Sequence, residues 1–285
     1  MPFLLELRAI AGGPLGRREA LAAAPTSRMI ARYAFAGILD LAAGLALVMM
    51  ISSKNNSSRM ETPIIITLIV ATILLLLPLF SAVGLAATAI AGDRAEDTLE
   101  ALVLTPMDRR EIVWAKLLGR TVPVRRFMIA AAPAFLACAE VPVLAIIYSS
   151  GISWTETNSD ALVMVLALAV GAVVAAAAWL LIFMEAHCAA AIALYCSARI
   201  SKPWLAAATA YALVFAPPLL LLLSCYCSWL ALAYPFVLGP LLFDSLLKNF
   251  DAYALGEPMG GPAGSTLGPP PYRLPPPARR NTLVR

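Results

Sequence analysis

Histidine is all but missing from this chain. His187 is the only one, which removes multi-histidine metal chemistry, and Glu185-Ala186-His187 is not the HExxH of a membrane metalloprotease. A serine intramembrane protease would also want a histidine base. Lysine is nearly as scarce: Lys54, Lys116, Lys202 and Lys248 all lack the glycine-rich setting of a GxxxxGK[ST] phosphate loop. The sequence therefore carries no nucleotide-binding motif of its own, and an enzyme is not expected. Charge is thin at 13% of residues, and a net charge of +4 without a basic stripe gives no footprint for nucleic acid. The five cysteines, Cys138, Cys188, Cys196, Cys225 and Cys227, lack zinc-type spacing. They read as buried thiols, and Cys225 and Cys227 would pair only in a strained loop.

What fills the chain instead is apolar. Hydrophobic residues make up 61%, and the mean hydropathy is +0.83. These values fit an all-α integral membrane protein. A span needs roughly 20 apolar residues, and six stretches qualify: Tyr33 to Ile51, Pro63 to Ala91, Phe127 to Ser149, Ala161 to about Cys196, Trp204 to Leu223 and Trp229 to Leu247. The fourth would be roughly 54 Å of helix against a hydrocarbon core of about 30 Å, so its last turns, with Glu185 and His187, are expected at the cytoplasmic interface. The fifth and sixth carry Pro217, Pro218, Pro235 and Pro240, which would kink or interrupt them, and they read as a tight hairpin of two short spans.

Basic residues orient this plan. With both termini cytoplasmic, nineteen Lys and Arg fall inside and only Lys54 and Arg59 outside, as the positive-inside rule requires. Tyr33, Tyr195 and Trp204 then lie near inner ends, and Tyr148, Trp154, Tyr226 and Trp229 near outer ones. Residues 1–32 form a cytoplasmic or interfacial segment without the pattern of a signal peptide, expected to hold an amphipathic helix. Residues 33–247 form the six-helix domain. Residues 248–285, with eight prolines and five glycines, make a tail expected to be disordered. Its Pro269-Pro270-Pro271-Tyr272 has a form that proline-reading domains recognise, although a solvated linker has the same composition. The outer loops are too short for an external domain.

Between the second and third spans lies an island of charge, residues 92–126. It holds six of the chain's 17 acidic and seven of its 21 basic residues, so it belongs outside the bilayer. Ala95 to Leu104 has helical composition, with Asp93, Glu96, Asp97 and Glu100 crowding its N-terminal turns, where the helix dipole favours negative charge. Thr105-Pro106-Met107 breaks the chain. Asp108 and Glu111 then read as N-cap and capping-box partner of a second helix running through Ile112, Val113, Lys116 and Leu117 toward Arg120. The result is a cytoplasmic elbow able to pass force from a soluble partner to the spans. A solvated amphipathic loop that merely orders the helix ends would give the same pattern.

Thr98-Leu99-Glu100, Leu102, Leu104-Thr105-Pro106, Arg109-Arg110-Glu111-Ile112 and Lys116-Leu117-Leu118 together resemble the signature between spans two and three of type-2 ATP-binding-cassette (ABC) transporter permeases. The likeness covers about 25 contiguous residues. Asp97 and Ala115 depart from it, each standing where the family usually has glycine. The resemblance implies that two permease subunits, identical or sister chains, form a pathway through the lipid bilayer, and that a separate ABC ATPase subunit grips the first helix of the elbow. Glu96, Thr98, Leu99 and Glu100 would be its contacts, and Thr105, Pro106, Arg109, Arg110, Glu111 and Lys116 would support them. ATP and Mg would be used by that partner, with no cofactor bound by this chain. The membrane would be the plasma (cytoplasmic or inner) membrane and the mechanism alternating access, with export favoured.

Charged groups inside spans are costly and draw attention as functional candidates. Asp40 in the first span and Glu140 in the third are candidates for a pathway or an inter-helix role, or for a protonated or locally paired carboxyl. Glu185, His187 and Asp244 lie nearer the cytoplasmic interface. Two other classes remain open: a secondary transporter driven by an ion gradient through Asp40 and Glu140, and a non-transporting membrane scaffold.

Overall fold

The computed structural model describes residues 9–10, 12–23, 26–52, 61–96, 98–103, 107–149, 158–223 and 228–255. Asp97, Leu104-Thr105-Pro106, the outer loops, Cys225, Cys227 and residues 256–285 of the Pro-rich tail lie outside them, as does the side chain of Glu100; the first tail residues, expected to be disordered, include the helix Phe250–Leu255. All regular structure in the described residues is α-helical. In chain order the helices are α1 (Pro14–Ala23), α2 (Thr26–Ser52), α3 (Glu61–Ala87), α4 (Ala89–Ala95), α5 (Thr98–Val103), α6 (Arg109–Ala130), α7 (Ala132–Ser149), α8 (Asn158–Arg199), α9 (Pro203–Leu223), α10 (Ser228–Lys248) and α11 (Phe250–Leu255).

Among the described residues, four stretches of helix are long and apolar enough to cross a membrane: Ile30–Ser52, Glu61–Ala95, Leu162–Arg199 and Pro203–Leu220. Helices α6 and α7 pass the same test together as a pair bent by 47° at their junction. The protein is thus a multi-pass membrane protein. The stretch expected as the sixth span is the helix α10, which packs against α8 and α9.

Helix α8 organises the bundle. It runs 42 residues without interruption, about 63 Å at about 1.5 Å per residue, and packs against α3, α7, α9 and α10. Its two halves differ. Val163, Leu166, Val170 and Val173 are exposed apolar side chains, whereas Ala189, Ala190, Ile192, Leu194 and Ser197 are fully buried. The last turns, expected at the cytoplasmic interface, are therefore enclosed by protein, against Ala82, Val83, Ala86 and Ala87 of α3, all fully buried themselves. Small residues at such a crossing let backbones approach closely, the main source of helix association in lipid. At Gly239 of α10 an added Cβ would lie 2.8 Å from the Cys188 carbonyl oxygen, so α10 meets α8 backbone to backbone.

Several helix ends differ from the sequence expectation. The second span breaks at Thr88, and its residues 89–91 begin α4. The second elbow helix and the start of the third expected span are one helix, because α6 runs unbroken from Arg109 to Ala130. The first elbow helix begins at Thr98, so Asp93 belongs to the helix before it. Pro217, Pro218, Pro235 and Pro240 sit inside helices they were expected to kink or interrupt. Pro217 lacks the N–H that would bond to Leu213, and the freed carbonyl accepts the Tyr234 hydroxyl of α10 at 3.0 Å. Inside a bundle this substitution of side chain for backbone is what permits a mid-helix proline.

Candidate functional site: the coupling elbow

The elbow is built on a small buried ionic network. Lys116, on α6, is fully buried. Its ammonium donates to Glu19 Oε1 of α1 at 2.8 Å, to Asp93 Oδ2 of α4, and over 3.4 Å to the Ala89 carbonyl. Three donors thus meet three acceptors, the whole capacity of a lysine. The other Glu19 oxygen accepts from Arg120 Nε at 2.7 Å, so two cations and two carboxylates balance. A buried pair of this kind is weak evidence for net stability. Removing one member is costly, about 3–5 kcal/mol, because a charge is stranded.

The local sequence explains how α1 reaches this point. Leu15, Glu19 and Ala23 recur every fourth residue and form the buried face of α1, which packs on α6. The approach is tight because α6 has Gly119 there. A Cβ at that position would lie 2.6 Å from Glu19 Cβ and 2.8 Å from the Gly16 carbonyl. Burial pushes the Glu19 carboxyl upward, yet the charges and hydrogen bonds of Lys116 and Arg120 outweigh it and hold the group below the ordinary glutamate value.

Helix α4 is fastened at both ends. Thr88 precedes it but supplies no side-chain cap. Ser197 of α8 supplies it from across the bundle, its hydroxyl accepting the N–H groups of Ile90 and Ala91, each at 2.9 Å, donors otherwise orphaned in the first turn. At the other end the Arg94 guanidinium donates to the carbonyls of Ala198 (2.9 Å) and Tyr253 (2.7 Å). The step to α5 is closed by the Thr98 hydroxyl on the Asp93 carbonyl at 3.2 Å, and Leu99 is buried at 3% exposure. Beyond the turn, Asp108 caps α6 by accepting from the Arg110 N–H at 3.2 Å, with Glu111 in the first turn.

The residues selected from sequence therefore separate. Glu96, Asp108 and Arg110 are exposed, Thr98, Arg109 and Glu111 are half-buried, and Leu99 and Lys116 are buried. Thr105, Pro106 and the Glu100 side chain lie outside the described residues. Sequence reasoning missed Glu19, Arg94, Arg120, Gly119 and Ser197 as members of this site. One signal was present: Glu19 is a charge on the apolar face of an amphipathic helix. Of the intramembrane carboxyls, Asp40 accepts the Ala134 N–H at 2.9 Å, capping α7 just past the bend. Glu140 packs against Gly171 of α8, and its Oε2 is buried without a partner. His187 Nδ1 lies 2.8 Å from the Phe183 carbonyl of its own helix.

An elbow between spans, bonded by buried charges and caps to α1, α6, α8 and α11, fits the family that the sequence resembles. The family model for ABC-2 family transporter proteins matches residues 71–227, more than half of the chain. The chain belongs to that family. No curated protein and no solved structure gives a match. The matched region contains α4, α5, α6 and Ser197, while Glu19 lies before it. The transporter protein thus joins a segment outside the matched region to its elbow through Lys116.

Proposed function

We propose that this chain is the permease subunit of an ABC-2 transporter whose ATPase is a separate polypeptide that docks on α5 and its exposed neighbour Glu96. The observation that carries the reading is the fastening of α4. Whatever displaces α5 acts through Thr98 and Asp93 on a helix held by Ser197 and Arg94 to α8, and by Lys116 to α6 and α1. A load applied at one exposed corner is thereby shared among packed helices, which suits alternating access driven by closure of partner ATPases.

In this reading ATP and Mg are used by the partner, and this chain binds neither. Two copies, or this chain and a sister permease, form the pathway through the plasma membrane. Six spans place both termini on the ATPase side, and the direction is export. The test is co-purification of the full chain from membrane extract with an ATP-binding-cassette ATPase. Glu96→Lys with Thr98→Ala should release the ATPase while leaving the permease monodisperse. Retention of the ATPase by that variant would count against docking at α5, and transport in vesicles lacking any ATPase would favour an ion-gradient mechanism.

A further inference from the structure

An apolar cleft of about 680 Å³ opens on the flank of the bundle, floored by α8 and walled by α3, α7 and α10. Leu75, Phe135, Ile182 and Phe236 line it, and Glu185 is the one charged side chain among its described lining residues. A second apolar cleft of about 640 Å³ lies between α7 and α8, and Phe135 and Ala178 line both. Gly171 forms part of the second wall. Each Glu140 carboxylate oxygen lies 3.4 Å from where a Gly171 Cβ would be. The two clefts thus form one track along α8 from position 171 to position 185, fourteen residues or about 21 Å of helix, with Glu185 in the wall at one end and, at the other, the Glu140 carboxylate set against the lining residue Gly171.

The chemistry of this track is one-sided. Among the described residues no lysine, arginine or histidine lines either cleft. Glu140 Oε2 is buried with no partner among the described residues, and Thr72, the one hydroxyl among the described lining residues, spends its proton on the Leu68 carbonyl of its own helix at 2.8 Å. A carboxylate in such surroundings is costly unless a counter-charge reaches it. Phe135 stands at the join, its ring 4.6 Å from Trp179, and aromatic faces attract cations as well as apolar groups. Each cleft falls within the roughly 300–1,000 Å³ that drug-sized ligands occupy.

We propose that this track is the cargo-binding site of the transporter and that it takes amphiphilic organic cations: an apolar body against Leu75, Phe135, Ile182 and Phe236, and a positive centre passing between Glu185 and Glu140. The proposal rests on the permease reading and names its substrate class. The two carboxyls are alternative stations for one positive charge, so the cation is held by one while the other waits, and the apolar walls exclude strongly hydrated ions.

The test uses the full chain purified in detergent, with labelled tetraphenylphosphonium as probe and tetraphenylborate, its near-isosteric anion, as control. The cation should bind saturably and the anion at least about tenfold more weakly. Glu140→Gln with Glu185→Gln should weaken the cation at least about tenfold, the scale expected when a buried charge loses its partner. Ala178→Trp, which fills the join without touching a carboxyl, should abolish binding of the cation. Equal binding of the two ions would overturn the proposal and leave the track as a lipid-facing surface or a contact between two copies. So would an unchanged affinity in the doubly substituted protein. If the ATPase co-purifies while the cation fails to bind, the permease reading stands and the substrate class falls. If the cation binds and no ATPase is retained, the site stands and the permease reading falls.

Discussion

Lys116 and Glu19 lie 97 positions apart in the chain and 2.8 Å apart in space. The contact makes α1 part of the elbow. Lys116→Met is expected to destabilise the protein by about 3–5 kcal/mol, because Asp93 and one oxygen of Glu19 keep their charge in a buried site after the ammonium is gone. Glu19→Gln combined with Lys116→Met should cost less than the sum of the single changes, since both act on one network. Denaturant unfolding in mixed micelles, run as a double-mutant cycle, reads the difference. Strict additivity would mean that the pair is energetically independent.

The same network sets an acid limit. Glu19 has a lowered pKa in the folded protein, so the unfolded chain binds its proton first as pH falls. The stabilisation is then fully present above the unfolded value near 4.5 and is lost as pH falls through the folded one. The midpoint of unfolding should therefore change little from neutral pH to about 5, one half-unit above an ordinary glutamate, and decline below that. Glu19→Gln should start lower and lose much of that acid decline. An identical acid limb in the variant would assign the transition to other carboxyls.

The sequence discloses this elbow unevenly, for physical reasons. Asp108 as N-cap was legible because capping is local, needing only the N–H two residues on. The apolar runs were legible because span length is a composition property. Asp93 reads locally as a charge on the dipole of the following helix, since nothing local shows that a lysine 23 positions later comes to meet it. Ser197 caps a helix more than 100 positions away, a relation that only the α3 and α8 packing creates. Likewise Pro217 signalled a kink on local grounds, and the hydroxyl that compensates for it arrives from α10.

Gly119 lies where α6 meets α1 at close range. Gly119→Leu would place its Cβ at 2.6 Å from Glu19 Cβ and 2.8 Å from the Gly16 backbone oxygen, and neither neighbour can yield without moving α1. A loss of about 1–3 kcal/mol is expected from the overlap, together with displacement of Glu19 from Lys116 and Arg120. A cysteine pair at exposed Arg17 and Arg110, cross-linked by reagents of graded length, would report the separation of α1 from the elbow. Unaltered cross-linking and unaltered stability would show that α1 can shift at no cost.

Tyr234 tests how the bundle tolerates its prolines. Its hydroxyl occupies the Leu213 carbonyl that Pro217 leaves without a backbone donor, and it joins α9 to α10 in doing so. Tyr234→Phe keeps the ring and strands the carbonyl, at a cost of about 1–3 kcal/mol for an unsatisfied buried acceptor. Pro217→Ala restores the i to i−4 donor and should by itself be tolerated, because it returns the helix to its ordinary bonding. Tyr234→Phe with Pro217→Ala is accordingly expected to recover most of the stability lost by Tyr234→Phe alone, since the carbonyl regains a partner from its own helix. If the second substitution brings no recovery, the tyrosine stabilises the bundle through its ring or another contact, and the freed carbonyl of Leu213 is not what it serves.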